Sequence, residues 1–275
     1  MRKINYPLIV SDFDGTLVKK DGMISEENRC AIDEYIACGG KFAISTGRMT
    51  SGILHRAREL GLKGLISCCQ GAIIVDIESG KTIMEGRLPL KSTIAACKKM
   101  EEMDLHIQVY DSWEYYSNKD DEALKSYERG VGKKAVLVLD KPLSQFVAET
   151  SLRSYKVLAM VKHEENEKVL AALTAENFEG CTTTRSSRSL VEVINQNFSK
   201  GTAVQFIAKH YGIPLEKTVA VGDQQNDIPM IEVAGLGIAV QNADEGLKAV
   251  ADYVTEATFN ENAIAEIIHK FGFTE

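Results

Sequence analysis

The stretch Pro7-Leu8-Ile9-Val10-Ser11-Asp12-Phe13-Asp14-Gly15-Thr16-Leu17 decides how the rest of the chain is read. An apolar run of strand length ends in two acids spaced two apart, followed at once by Gly-Thr. Such a run, bounded by turn residues, suits a strand buried on both faces, as strands of parallel sheets are. In open parallel sheets ligands bind beyond the carboxyl ends of the strands, so acids placed there are candidates for chemistry.

Outward from this stretch, strand-like runs alternate with helix-length amphipathic segments, which predicts an α/β fold with a mainly parallel, Rossmann-like sheet. Lys19-Lys20-Asp21-Gly22 reads as a hairpin turn carrying the favoured Asp-Gly pair. Ser25 is placed as the N-cap of a helix through Cys38, ended by Gly39-Gly40. A strand over 41–45, a helix over 51–60 and a strand over 65–69 follow, then the apolar run Ala72-Ile73-Ile74-Val75. Further on, strands are expected over 190–194, 218–221 and 236–240, with helices over 200–211, after 223 to about 234, and over 262–271.

Two polar or turn-rich joints, Glu85-Gly86-Arg87-Leu88-Pro89 and Thr182 to Ser189, bracket a middle section. Helical signals there lie at 91–103, 120–130, 143–150 and 164–175, and strand signals at 105–110, 135–139 and 156–161. The reading is one discontinuous domain, 1–84 and 189–275, split by an inserted α/β domain, 85–188.

Composition bounds the function. The chain has 275 residues, enough for one large or two moderate domains, and a formal net charge of −7. That balance argues against a general nucleic-acid binder, although a local site inside an acidic protein can still be positive. The six cysteines form no C-x-x-C pair and no zinc-like spacing, so they read as structural, reduced thiols of a cytoplasmic protein. The apolar run near the start is too short for a signal peptide, and no stretch reaches the roughly 18 apolar residues of a membrane span.

The strand ends gather unusual residues. Asp12 and Asp14 follow the first strand, Ser45-Thr46-Gly47-Arg48 the second, and Gly222-Asp223-Gln224-Gln225-Asn226-Asp227 the strand at 218–221, while Lys200 opens a helix. Singly each has an ordinary use: an Asp caps a helix or makes a turn, Ser-Thr-Gly is loop chemistry, and a Lys sits on the surface. Their joint placement at one sheet edge is what carries meaning. Crowded carboxylates repel unless a cation joins them, and hard oxygen ligands with room for waters favour magnesium over zinc. With Lys200 and nearby hydroxyl and amide groups, such a site is a cradle for phosphate, whose transfer needs mainly positioning and charge neutralisation. An Asp can serve as the nucleophile and a second acid as the proton carrier.

The ordered set D-x-D-G-T-L, S-T-G-R, the lysine of S-K-G and G-D-x-x-N-D resembles the four motifs of the haloacid dehalogenase (HAD) superfamily of phosphatases. The insertion between the second and third motifs resembles the type IIB cap of its Cof-type sugar-phosphatase branch. The resemblance spans essentially the whole chain. It implies a magnesium-dependent phosphatase acting through an aspartyl-phosphate, with Asp12 as nucleophile and metal ligand and Asp14 as acid/base and, through its backbone carbonyl, metal ligand. It further implies Thr46 as a hydrogen-bond donor to the phosphoryl oxygens, Lys200 as the neutralising cation and Asp223 as the third metal ligand. Asn226 and Asp227 would orient waters, the lysine or the phosphate, Gly15 would permit the backbone turn that aims amides at the phosphate, and Arg48 is a candidate substrate contact. Relatives commonly have Asn-Gly-Ala where this chain has Gln70-Gly71-Ala72, which leaves open whether residue 70 touches substrate. The polar run Asn195-Gln196-Asn197-Phe198 has no functional reading from sequence.

Two other readings fit the same residues. A phosphomutase or phosphotransferase would pass the phosphoryl group to a sugar hydroxyl. A non-enzymatic phospho-switch would lack the second acid that speeds hydrolysis, so Asp14 argues against it. The expected partner is a small phosphorylated metabolite: a sugar phosphate, flavin mononucleotide, pyridoxal phosphate or a nucleotide. Tyr110, Trp113, Lys133, Arg185 and Arg188 are candidate selectors. No nucleic-acid or membrane partner is expected, and the expected state is a monomer or weak homodimer.

Overall fold

The computed structural model describes residues 2–111 and 113–274. The chain forms two compact units: Met1–Thr46, Arg56–Ile83 and Ser199–Glu275 in the first, and Gly47–His55 and Met84–Phe198 in the second.

The strands in chain order are β1 (Leu8–Ser11), β2 (Lys41–Ser45), β3 (Leu65–Cys68), β4 (Ile73–Asp76), β5 (Thr82–Glu85), β6 (His106–Tyr110), β7 (Tyr115–Ser117), β8 (Val136–Leu137), β9 (Lys156–Met160), β10 (Cys181–Ser187), β11 (Leu190–Asn195), β12 (Thr218–Gly222), β13 (Leu236–Ala239) and β14 (Tyr253–Val254). The larger sheet runs β14-β13-β12-β1-β2-β3-β4-β5. From β14 to β3 every pairing is parallel, and β3 to β4 is antiparallel. β1 lies centrally and is wholly buried, as its unbroken apolar run predicts.

The first helix of the first unit starts and stops where the sequence places it. Ser25 caps Glu26–Ala37 by accepting from the Asn28 N–H at 3.2 Å, and the chain leaves at Gly39, whose φ of +99° a side chain would resist. The Asp21-Gly22 turn is present, closed by Gly22 N–H donating to Lys19 O at 2.8 Å, without strands of its own on either side.

The second sheet runs β10-β11-β9-β6-β7-β8. Alternation assigns its two faces. Ile107, Val109, Val157, Ala159, Val191 and Val193 join the apolar core with residues of the helices Leu90–Glu102, Leu143–Thr150 and Asn166–Ala175. The intervening positions carry His106, Gln108, Lys156 and Glu192.

Here the expected boundary at 188/189 is overturned. The run Thr182–Ser189, taken as a joint, lies mostly in β10, and β11, taken as part of the discontinuous domain, pairs with β10 and β9 in the second sheet. Polar β-branched threonines suit an edge strand with one wet face, so polarity alone mimics a linker there. The chain returns to the first unit after Phe198. The run Asn195–Phe198 is that exit: Asn195 Nδ2 donates to Arg87 O at 2.8 Å, and Asn197 N–H donates to Asn195 Oδ1 at 2.9 Å.

Candidate active site

β1 delivers Asp12 into the middle of the first unit. Its N–H donates to Val221 O at 2.8 Å, extending the β1–β12 ladder by one residue beyond the strand. The Asp12 side chain is buried, and its Oδ1 accepts from Lys200 Nζ at 2.5 Å. Lys200 is the first residue of the helix Lys200–Tyr211, whose entry is fixed by a capping box between Ser199 and Thr202. The same Nζ donates to Asp227 Oδ1 at 2.5 Å.

The loop after β12 is organised around Asp227. Its Oδ2 accepts from the N–H groups of Asp223 and Gln224 at 2.9 and 3.0 Å. Asp223 is held by Thr16 Oγ1 on Oδ1 at 2.9 Å and by Gln224 Nε2 on Oδ2 at 3.0 Å. Gly15 makes this closeness possible: its φ is +82°, and a Cβ there would stand 2.6 Å from Asp223 Oδ2.

Asp12, Asp223 and Asp227 therefore meet, with ligand oxygens within 4.8 Å of one another. Burial pushes the Asp12 carboxyl well above its usual range; Lys200 opposes that shift, while Asp227 and Asp223 add to it. Asp223 is pushed up to about 6 by burial and by Asp227. Burial alone would pull the Lys200 ammonium down, but Asp12 and Asp227 outweigh it and hold it above its ordinary value.

Three carboxylates against one ammonium leave net negative charge in a buried place once all are ionised. That is the condition in which a divalent cation with oxygen ligands is favourable. A second sign agrees: Asn226 Oδ1 is buried with no hydrogen-bond partner, an acceptor waiting for a donor such as a metal-held water. The donor set fits magnesium.

The expected metal set takes the side chains of Asp12 and Asp223 and the backbone carbonyl of Asp14; the side chains that meet are those of Asp12, Asp223 and Asp227. Asp227 already spends both oxygens on Lys200 and the loop amides, which makes it an organiser. Asp14 is exposed, next to the cluster in sequence and bridged to Val18. Thr46 is buried at the end of β2, its backbone held between Ser67 O and Gln70 N–H at 2.9 and 3.2 Å. Arg48 falls in Gly47–His55, which groups with the second unit.

Sequence reasoning did not single out Thr16, Gln224 or Asn242 as site residues. Thr16 and Gln224 hold Asp223, and Asn242 Nδ2 donates to Gly15 O at 2.9 Å. Thr16 lay inside the quoted motif, where its hydroxyl was signal enough; Asn242 had none, being distant in sequence.

A family model for haloacid dehalogenase-like hydrolases matches residues 9–268. The chain belongs to that family. The hydrolase is 29% identical to phosphatase YwpJ of Bacillus subtilis, over 95% of this chain and 98% of the relative. It is 28% identical to a 5-amino-6-(5-phospho-D-ribitylamino)uracil phosphatase of B. subtilis, over 97% of this chain and 96% of the relative. A haloacid dehalogenase-like hydrolase of B. subtilis has the same fold at a TM-score of 0.86 and 26% identity, covering 96% of this chain and 99% of that one. A subclass IIB sugar phosphatase shares the fold at a TM-score of 0.83 and 24% identity, covering 96% and 98%. The protein is thus an enzyme of the phosphatase kind with a Cof-type HAD fold.

In the second unit the candidate selectors have varied surroundings. Tyr110 is buried, stacked on Tyr115 with ring centroids 5.4 Å apart. Trp113 is 60% exposed, Lys133 pairs with Glu114 at 3.0 Å, and Arg185 pairs with Glu167. Arg188 is exposed.

Proposed function

We propose that this hydrolase is a magnesium-dependent phosphatase that cleaves small phosphate monoesters through an aspartyl-phosphate on Asp12. The observation that carries the reading is Asp12 itself: a buried carboxylate at a strand end, held on one oxygen by Lys200 beside two further buried acids.

An oxygen of Asp12 attacks phosphorus as the bond from phosphorus to the ester oxygen breaks. Asp14, outside the buried cluster, gives the leaving alkoxide its proton. Water then attacks the phosphoaspartate while Asp14 takes the water's proton, and inorganic phosphate leaves with Asp12 restored. Lys200 offsets charge on Asp12 and the transferring group, Thr46 donates to a phosphoryl oxygen, and Gly15 lets the loop amides approach. Asp12, Asp223 and the Asp14 carbonyl would hold magnesium, which supplies charge neutralisation for the phosphoryl group. Asp227 fixes Lys200 and the loop, Asn226 orients water, and Arg48 serves as a substrate contact.

The relative that acts on a phosphorylated ribityl compound supports a small polyol or sugar phosphate as substrate. The six free thiols support a reducing compartment, the cytoplasm. Among the described residues no helix is long and apolar enough to cross a membrane.

The test is phosphate release from a panel of sugar phosphates, flavin mononucleotide, pyridoxal phosphate and nucleotides. Release is expected with magnesium and without a bisphosphate activator, and not with EDTA. Asp12→Asn is expected to lower kcat by roughly 10⁴-fold or more, as loss of a nucleophile does. Unchanged turnover in Asp12→Asn would remove Asp12 from the mechanism, and a requirement for a bisphosphate would point to a mutase.

A further inference from the structure

Gln70 stands in a run of three left-handed residues after β3: Cys69 at φ 49°, Gln70 at 59° and Gly71 at 96°. Glycine is needed at 71, where a Cβ would lie 2.2 Å from Ser199 O. Gln gains nothing from this backbone, whereas Asn tolerates it. What Gln brings is reach. Its side chain is buried, and its Oε1 accepts from Asn226 Nδ2 at 3.0 Å. That bond commits the amide of Asn226 to one orientation. The other amide atom, Oδ1, is buried without a partner, one residue before Asp227 in the loop that carries Asp223. An unpaired buried acceptor is costly, so a donor arriving with the bound state would relieve it.

We propose that Gln70 is a positioning residue for magnesium binding: it turns Asn226 so that Oδ1 accepts from a water of the hydrated cation. This rests on the phosphatase reading above. Gln70 acts through Asn226.

Gln70→Asn separates this role from backbone architecture. It suits the left-handed backbone at least as well, and it shortens the arm by one methylene, about 1.5 Å, which breaks the bond. The melting temperature in EDTA should fall modestly, because the buried Asn226 Nδ2 loses its acceptor while the backbone at 70 stays at ease. Magnesium alone, titrated calorimetrically, should bind about 10-fold more weakly, as losses of outer-sphere support usually show. Activity should fall at limiting magnesium and recover at saturation. In an Asn226→Ala background, Gln70→Asn should add no further loss of magnesium affinity. If Gln70→Asn does not fold, Gln70→Gly fits the same backbone without the side chain, and the same loss is expected. Wild-type magnesium affinity in these variants, or a loss additive with Asn226→Ala, overturns the inference and leaves the phosphatase reading intact. A wild-type protein that neither binds magnesium nor releases phosphate overturns both.

Discussion

Lys200 in the first unit and Lys156 in the second are equally hidden from solvent, at 2% and 1% exposure, yet their partners differ. Lys156 Nζ lies 3.1 Å from Glu192 Oε1, donates to Gly47 O at 2.9 Å, and sits 4.7 Å from the centre of the Tyr110 ring. Glu192 Oε1 also accepts from Ser186 Oγ at 2.5 Å. There the ammonium pairs directly with a carboxylate. Lys200 serves two carboxylates directly, and a third completes the cluster. A buried pair of one ammonium and one carboxylate carries no net charge of its own. A cluster with more carboxylates than ammonium groups leaves negative charge for something from outside to meet, and that excess makes it the candidate site.

The largest expected effect tests the Lys156–Glu192 pair. Lys156→Met takes the ammonium from the buried Glu192 carboxylate, which should destabilise the protein by about 3–5 kcal/mol in urea unfolding. Lys156→Met with Glu192→Leu should recover most of that, because apolar residues replace a buried pair at little cost. A double variant as unstable as the single one would break the comparison.

Next comes the open cluster. Lys200→Met should lower kcat by about 10²–10³-fold, the loss typical of removing one preorganised charge-stabilising group. Steady-state kinetics of phosphate release would check it; a kcat within twofold of wild type would make Lys200 another structural lysine.

The smallest effect is on pH. Asp223 has its carboxyl raised from 3.8 to about 6 in the folded protein. Between those values the folded state binds more protons than the unfolded one, so this group lowers metal-free stability as pH rises through that window. Magnesium needs the ionised form. Its stabilisation, about 2.7 kcal/mol at 100 times its dissociation constant, should therefore grow as pH rises through about 6. Melting curves with magnesium and with EDTA across pH 5 to 8 read this directly, and Asp223→Asn should flatten the difference. A magnesium shift independent of pH would sharpen the comparison against Asp223 as a ligand.

Much of this was legible in the residues. The apolar run Leu8–Val10 announced a central parallel strand, and Ser25 and Gly39 announced a helix's two ends, because burial and capping are local rules. The helices at 143–150 and 200–211 emerged as read, since periodicity and end signals agreed there. β10 was misread because polar threonines look alike in a linker and in an edge strand. Only its pairing with β11 tells them apart, and pairing is non-local. The buried Lys156–Glu192 pair was missed for the same reason: 36 residues separate its members, and neither is unusual alone.

The sequence by itself determined the kind of fold and the vocabulary of the candidate site: acids two apart after a buried strand, a hydroxyl pair, a lysine opening a helix, and a second acidic loop. Those follow from side-chain period, turn chemistry and order along the chain. Tertiary structure alone decided how the vocabulary is used. It set Lys200 between Asp12 and Asp227, made Asp227 an organiser, left Asp14 exposed, and tied Gln70 to Asn226. Contacts spanning 188 residues, as between Asp12 and Lys200, are fixed by the order and register of strands in the sheet. Hydrogen-bond partners and burial are properties of that assembled sheet.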